Sequence, residues 1–301
     1  MKSTDPHPQD SRRGIAIAAL LAGAVAIATA PLFVKVSEVG PVATAFWRVF
    51  LALPFLWAWS LAEQRGDHAA SFAADKRLMI AAGLFFAGDL AVWHWSIVLT
   101  SVANATLLAN LAPIFVTLAV WLLLRKRPSG IFVVGMATAL AGMAALIGGD
   151  FRLSEKALLG DILGVVTAMF YAAYQLTVTK LRARAATSTI MAWSGLVTAA
   201  ALLPVAIATG EQILPLTPAG WIKLAGLAVI AQVAGQSLIA YAMAHLPATF
   251  SSVGLLLQPV MAAVFAWILL GETLGLIEIA GGIVVLIGIR IAQKAELGDK
   301  K

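Results

Sequence analysis

The chain has 301 residues, of which 61% are hydrophobic and 12% charged, with a mean hydropathy of +0.92. A soluble domain carries roughly a quarter of charged residues and cannot bury this much apolar surface, so lipid must serve as part of the solvent. The net charge is +6, but its basic residues fall in short clusters between apolar runs, which excludes a phosphate-binding nucleic-acid face. Cysteine is absent and the four histidines are scattered at 7, 68, 94 and 245, so thiolate chemistry, disulfides and a sequence-local metal cluster are excluded and no cofactor is expected.

A spanning helix needs about 20 mostly apolar residues, because each rises 1.5 Å through ~30 Å of hydrocarbon. Ten such segments follow in chain order, at about 14–36, 41–62, 78–99, 102–124, 130–148, 158–180, 189–209, 219–244, 248–270 and 274–293. The first opens on Arg12-Arg13 and contains Ala28-Thr29-Ala30, which resembles a signal peptide with its cleavage site. Its apolar run continues to Val36, too long for a cleaved signal, so it is expected to stay as a span. The third and fourth are parted only by Thr100 and Ser101, and a single helix over both would be about twice too long for a bilayer.

Lysine and arginine orient these spans. With the N-terminus inside, one side collects Lys2, Arg12 and Arg13; Arg65, Lys76 and Arg77; Arg125, Lys126 and Arg127; Lys180, Arg182 and Arg184; and Arg290, Lys294, Lys300 and Lys301. Those are most of the 21 basic residues, and both termini are therefore expected in the cytoplasm of a bacterial-type inner membrane. Arg152 and Lys156 fall on the opposite side.

Shifted by 146 residues, the fourth and fifth spans lie on the ninth and tenth. Pro113 falls on Pro259, Trp121 on Trp267, Leu123-Leu124 on Leu269-Leu270, Gly135 on Gly281 and Gly142 on Gly288. The repeat unit holds five spans, an odd number, so residues 1–150 and 151–301 must insert in opposite senses. The expected fold is all-α and polytopic, ten transmembrane helices as two inverted-topology five-helix repeats. Two inverted halves around a midplane cavity can exchange conformations and open it to either side.

These residues carry a family resemblance. Leu107-Leu108-Ala109-Asn110-Leu111-Ala112-Pro113-Ile114-Phe115 followed by Trp121-Leu122-Leu123-Leu124, Pro259 followed by Leu269-Leu270-Gly271-Glu272, then Gly281-Gly282 and Gly288, Ala45-Phe46-Trp47-Arg48-Val49-Phe50 and Phe33-Val34-Lys35 resemble the drug/metabolite transporter superfamily, in particular its EamA-like ten-helix exporters. The resemblance covers the whole chain. It implies a central cavity lined by helices of both halves, with small organic metabolites as cargo.

Polar side chains inside spans are costly and are the functional candidates. Asp89 lies mid-span with Trp93 one turn on and Phe86 three residues before. A carboxylate beside aromatic rings suits a substrate ammonium or a coupling proton; the alternative is a structural partner for Arg48 or His94. Arg48 reads as structural, snorkelling or paired with a buried acid, with a substrate-carboxylate clamp as the other reading. Thr106, Asn110, Pro113 and Thr117 form one stripe at i, i+4, i+7 and i+11. Pro113 breaks the helix near Ala109, and Pro259 repeats the device beside Gln258, with Ser252 seven residues earlier. Tyr171, Tyr174 and Gln175 share a sector of the sixth span with Thr167, and Gln232, Gln236 and Tyr241 mark the eighth. Cavity lining and helix–helix adhesion both fit these stripes. The glycines at 135, 142, 281, 282 and 288 read as close-packing positions, within the fold or between subunits of a homodimer, so monomer and dimer both stand.

No Walker-type phosphate loop is present, so a gradient and not ATP is the expected energy source, with proton coupling open. The leading reading is a secondary carrier that exports amino acids or related small metabolites by alternating access, with the bilayer and a small-molecule substrate as partners. A multidrug or organic-cation exporter is the alternative, which Asp89 and its aromatics favour. An intramembrane enzyme needs converging acid, base or nucleophile groups, and only Asp89 and His94 come near one another; a passive channel has no need of the inverted repeat.

Overall fold

A computed structural model describes residues 8–64, 75–100, 102–147, 155–271 and 274–297. Among them ten helices are long and apolar enough to cross a membrane. These are α1 (Arg12–Lys35), α2 (Pro41–Glu63), α3 (Lys76–Ser96), α4 (Ala105–Leu124), α5 (Gly130–Ile147), α6 (Ala157–Arg182), α7 (Thr187–Ala208), α8 (Pro218–Ala242), α9 (Ala248–Leu269) and α10 (Leu276–Leu297). All regular structure among the described residues is helical, because lipid offers a backbone amide no partner outside its own helix. Arg65, Arg152, Ser101 and Glu272 lie outside the described residues.

The expected spans appear within a few residues, but five are not uniform α-helices. Turns interrupt α1 at Ala28 and Thr29, α2 at Leu51 and Ala52, α4 at Asn110 and Leu111, and α9 at Leu255 and Leu256. Prolines stand two or three residues beyond each turn, at 31, 54, 113 and 259, where the ring removes a donor and clashes with the preceding turn. The middle of α8, Ala228–Gln236, is π-helical.

Packing is two-fold. α3 lies on α6 as α8 lies on α1; α4 lies on α6 as α9 lies on α1; α7 crosses α3 as α2 crosses α8. The pairs α2–α7 and α5–α10 map onto themselves. At the α5–α10 crossing a Cβ on Gly142 would meet Gly281 O at 2.7 Å and Val285 N at 2.6 Å, while one on Gly135 would meet Gly288 O at 2.9 Å. Moving each residue to its counterpart 146 positions away turns the Gly135–Gly288 contact into Gly142–Gly281. The pairs run in opposite directions along the two helices, as antiparallel helices related by an axis in the membrane plane require. These glycines therefore pack within the chain.

Carboxylates close the α2–α7 pair at both ends. Glu211, just past α7, accepts from Ala43 N in the first turn of α2 at 2.8 Å. Glu63, at the end of α2, accepts from the Ser188 hydroxyl in the first turn of α7. At the Glu211 end, Trp47 Nε1 donates to Ile213 O at 2.6 Å and Trp47 meets Trp221 edge-on at 4.8 Å. Beside them Glu38 accepts from Thr217 Oγ1 at 2.6 Å, Thr217 N at 3.1 Å and Leu216 N at 3.2 Å, with Lys223 Nζ 3.8 Å away.

Two predictions follow from this packing. Gly142→Ala forces the α5–α10 backbones apart and costs about 1–3 kcal/mol, read as a lower unfolding temperature in detergent. Gly130→Ala, where a Cβ meets nothing within 4 Å, leaves it unchanged. The Thr217 hydroxyl above all, with the two amides and the Lys223 charge, holds the Glu38 carboxyl below its ordinary value. A lowered folded-state pKa stabilises above the unfolded value and is lost as pH falls through the folded one. Glu38→Gln is therefore less stable than the parent at neutral pH, and the two melting temperatures converge on acidification below the ordinary carboxylate range.

Candidate functional site

The turns in α1, α4 and α9 meet at one cavity of about 160 Å³. Each proline withholds a bond from the carbonyl four residues earlier: Pro31 from Ile27 and Pro113 from Ala109, both cavity-lining residues. The chain tightens through three-residue bonds instead, Thr29 N to Ala26 O at 3.3 Å, Leu111 N to Leu108 O at 3.1 Å and Leu256 N to Val253 O at 3.1 Å. The Asn110 amide turns back to Thr106 O at 2.8 Å. The freed carbonyls are thus placed against a cavity, where lipid does not reach them.

Helices of both halves supply the lining. α3 brings Phe86, Asp89, Leu90 and Trp93; α4 brings Thr106, Ala109 and Asn110; α6 brings Thr167 and Tyr171; α8 brings Gln236; α9 brings Gln258, Pro259 and Ala262; α2 brings Arg48. Arg48 donates from Nε to Gln232 Oε1 at 3.2 Å and sits over the Phe86 ring, 5.8 Å from its centroid. Phe86 stacks on Tyr174 at 4.7 Å, and Tyr174 Oη accepts from Gln236 Nε2 at 3.1 Å. Arg48 is therefore held by the Gln232 amide and the Phe86 ring where it lines the cavity. Asp89, half-buried, lines the same cavity, and among the described residues its carboxylate takes part in no hydrogen bond and no ion pair within 4.0 Å. The cavity thus carries a cation and a carboxylate that are not closed onto each other.

Of the residues singled out from sequence, Asp89, Trp93, Thr106, Asn110, Tyr171, Gln236, Gln258 and Pro259 come together here. Tyr174 and Gln232 stand one layer behind, against Phe86, Gln236 and Arg48. Pro113 is buried in the second residue of the helix that follows the α4 turn. Ser252 is buried and donates to Thr249 O of its own helix at 2.8 Å. Tyr241 lies apart, its ring 4.8 Å from that of His245. Gln175 is fully buried, and its side-chain amide has no partner. His94 is buried with Nδ1 on Leu90 O of its own helix. Arg48, read from sequence chiefly as a structural group, both makes the Gln232 contact and lines the cavity. Ile27, Ala28, Ala30 and Pro31 were missed, because nothing polar marks them; the signal was Pro31 itself, a helix breaker inside an apolar span.

The comparisons with known proteins fit this geometry. The profile of the EamA-like transporter family matches residues 14–148 and again 158–292. The chain belongs to the EamA-like transporter family. It is accordingly a multi-pass membrane transporter of the drug/metabolite transporter superfamily and not an enzyme, embedded in lipid and handling a small molecule. An uncharacterized transporter of Archaeoglobus fulgidus is 26% identical to this EamA-like chain over 86% of it and 90% of the relative. A probable terminal-alkyne amino-acid exporter of Streptantibioticus cattleyicolor is 27% identical over 69% of each chain. The pseudopaline exporter CntI of Pseudomonas aeruginosa is 24% identical over 73% of this chain and 76% of its own. A crystal structure with 16% sequence identity superposes with a TM-score of 0.80 over 97% of this chain and 99% of the other, a likeness of fold.

Arg48 and Gln232 supply the test of this site's construction. Arg48→Met leaves the buried Gln232 carbonyl without its donor and costs about 1–3 kcal/mol, read as a fall in unfolding temperature of the purified protein. Adding Gln232→Leu removes both partners and recovers most of that loss.

Proposed function

We propose that this transporter exports a small zwitterionic metabolite of the amino-acid class, carrying it by alternating access across a bacterial-type inner membrane. The observation that carries the reading is the pair of opposite charges on one cavity: Arg48 and Asp89 both line it, yet form no ion pair within 4.0 Å. A ligand with an ammonium and a carboxylate satisfies both, taking a charge-assisted bond from Arg48 and giving one to Asp89. Trp93 and Phe86 add aromatic faces beside the ammonium. Thr106, Asn110, Tyr171, Gln236 and Gln258 supply neutral donors and acceptors for the side chain of the cargo.

Among the relatives, one is named a probable amino-acid exporter and another a pseudopaline exporter, and both names fit this direction and class of cargo. The halves 1–150 and 151–301 act as the two exchanging units, with the termini and the clusters at Arg125–Arg127 and Lys180–Arg184 on the cytoplasmic side. Asp89 alternates between the cargo's ammonium and a proton, which couples efflux to the proton gradient. An organic-cation exporter is the second reading, favoured by the aromatic rings beside Asp89; it gives Arg48 no task.

Counterflow in proteoliposomes with a panel of amino acids and cationic dyes tests both readings. Asp89→Asn lowers transport of every accepted compound about tenfold or more, the equivalent of one lost charge-assisted bond. Arg48→Gln does the same for amino acids, and under the second reading leaves dye flux intact. Undiminished amino-acid transport by Asp89→Asn sinks the site assignment, and flux indifferent to a pH gradient sinks the coupling.

A further inference from the structure

At the opposite end of the same helices lies a second cavity, of about 920 Å³. α4, α6, the start of α9 and the end of α10 enclose it, and Thr117, Thr179, Thr249, Lys126, Arg127 and Lys180 are among its lining residues. Three of those helices also line the Asp89 cavity, and on each a polar row runs from one cavity to the other. On α4 it is Thr106, Asn110, Pro113 and Thr117. On α6 it is Thr167, Tyr171, Gln175 and Thr179, strictly four residues apart, so that they lie along one slowly turning face. On α9 the polar members are Gln258 and Ser251, seven residues apart, and the helix reaches the groove at Ala248 and Thr249. The upper members face the Asp89 cavity and the lower ones the basic-end groove.

Gln175 and Ser251 stand between. Both are fully buried, and neither the Gln175 amide oxygen and nitrogen nor the Ser251 hydroxyl has a hydrogen-bond partner. A buried polar group left unpaired is destabilising, which fits groups that find a partner in another state of the transport cycle. The apolar cluster of Ala112, Val116, Ala168 and Ala172, with Leu176 and Ala248 packed on it, closes the path at this level. Along α6, Tyr171 and Thr179 are about 12 Å apart with Gln175 midway.

We propose that Gln175 and Ser251 form an inner binding station on the transport path, where cargo entering by the basic-end groove is hydrogen-bonded before it reaches Asp89 and Arg48. It rests on the export reading above. The cargo it takes is polar and carries a carboxylate: Lys126, Arg127 and Lys180 outnumber the single lining acid, Glu296, which accepts from Thr249 Oγ1 at 2.9 Å, and among the described residues none of the three has an acidic partner within 4.0 Å. The Gln175 amide then gives to the carboxylate from its nitrogen and accepts from the ammonium with its oxygen, and Ser251 supplies a second donor.

The chain has no cysteine, so single replacements read accessibility directly. Gln175→Cys and Ser251→Cys are exposed, in right-side-out and inverted vesicles, to a membrane-impermeant maleimide, with Thr179→Cys marking the groove and Thr106→Cys the outer cavity. The expected result is labelling of Gln175→Cys and Ser251→Cys from the same side as Thr179→Cys and loss of labelling from the other side. Reaction from the Thr106 side, from both sides, or from neither while Thr179→Cys reacts, overturns the proposal; Ser251→Cys, nearly isosteric, stands if the other variant fails to fold. Gln175→Leu is expected to lower maximal efflux several-fold while leaving amino-acid binding from the outer side unchanged, and an undiminished efflux overturns the station. Labelling needs no cargo, so an unchanged Asp89→Asn with the expected labelling overturns the amino-acid assignment alone.

Discussion

In hydrocarbon a peptide group has no solvent to fall back on, and the architecture depends on that constraint. Each N–H and C=O must be paired inside its own helix or face protein or water. Four proline-associated turns and a π-helical stretch break the rule, and their placement is selective. The turns of α1, α4 and α9 border the Asp89 cavity, and the π stretch of α8 ends at Gln236 on its wall. The turn of α2 faces α7, where Gly195 allows Leu53 to approach, so protein covers it. The surfaces that do meet lipid are unbroken: Leu118 and Leu122 on α4, Trp267–Leu269 on α9, and the outer faces of α5 and α10 are exposed and apolar. Irregular backbone thus lies against the Asp89 cavity or under protein cover.

The same constraint separates a stiff part from a movable one. Between α5 and α10 the backbones are in contact through glycines, and two side-chain methyls would drive them apart. Between α2 and α7 a carboxylate closes each end. These two pairs lie on the two-fold axis, so exchanging the halves leaves each pair as it is. α1, α4 and α9 carry turns beside the Asp89 cavity, and α4, α6 and α9 carry the polar rows.

How much of this was legible in the sequence follows from which energies are large. Ten spans, the two-fold repeat and the breaks at Pro113 and Pro259 were readable, because hydrocarbon thickness, basic-loop bias and a missing donor act on single residues. Asp89 was readable for the same reason, since a mid-span carboxylate is too costly to be incidental. The neutral polar residues were not sorted. Hydroxyls and amides of Thr106, Gln236 and Gln258 face the cavity, whereas Ser252 bonds its own helix and Tyr241 sits against His245. In a span that is apolar on every face no amphipathic contrast tells these cases apart. Arg48 needed tertiary information: its amide partner lies 184 residues away. The π stretch in α8 carries no proline and has no local signature at all.

Unpaired polarity inside this protein is therefore informative about energy and not merely about location. Thr167, Gln175, Ser251 and the Gln258 amide nitrogen each forgo a hydrogen bond in this conformation. On the transport path proposed above, cargo in the Asp89 cavity relieves those at Thr167 and Gln258, and opening the opposite end relieves those at Gln175 and Ser251. A structure that left none unsatisfied would sit in a deeper minimum and exchange more slowly, since a ligand shifts an equilibrium only by its differential affinity for the two states. Four polar residues worth about 1–3 kcal/mol each are comparable with the whole stability margin of an ordinary domain, about 5–15 kcal/mol. Replacing them with well-packed apolar side chains is thus expected to yield a protein that melts higher and transports less.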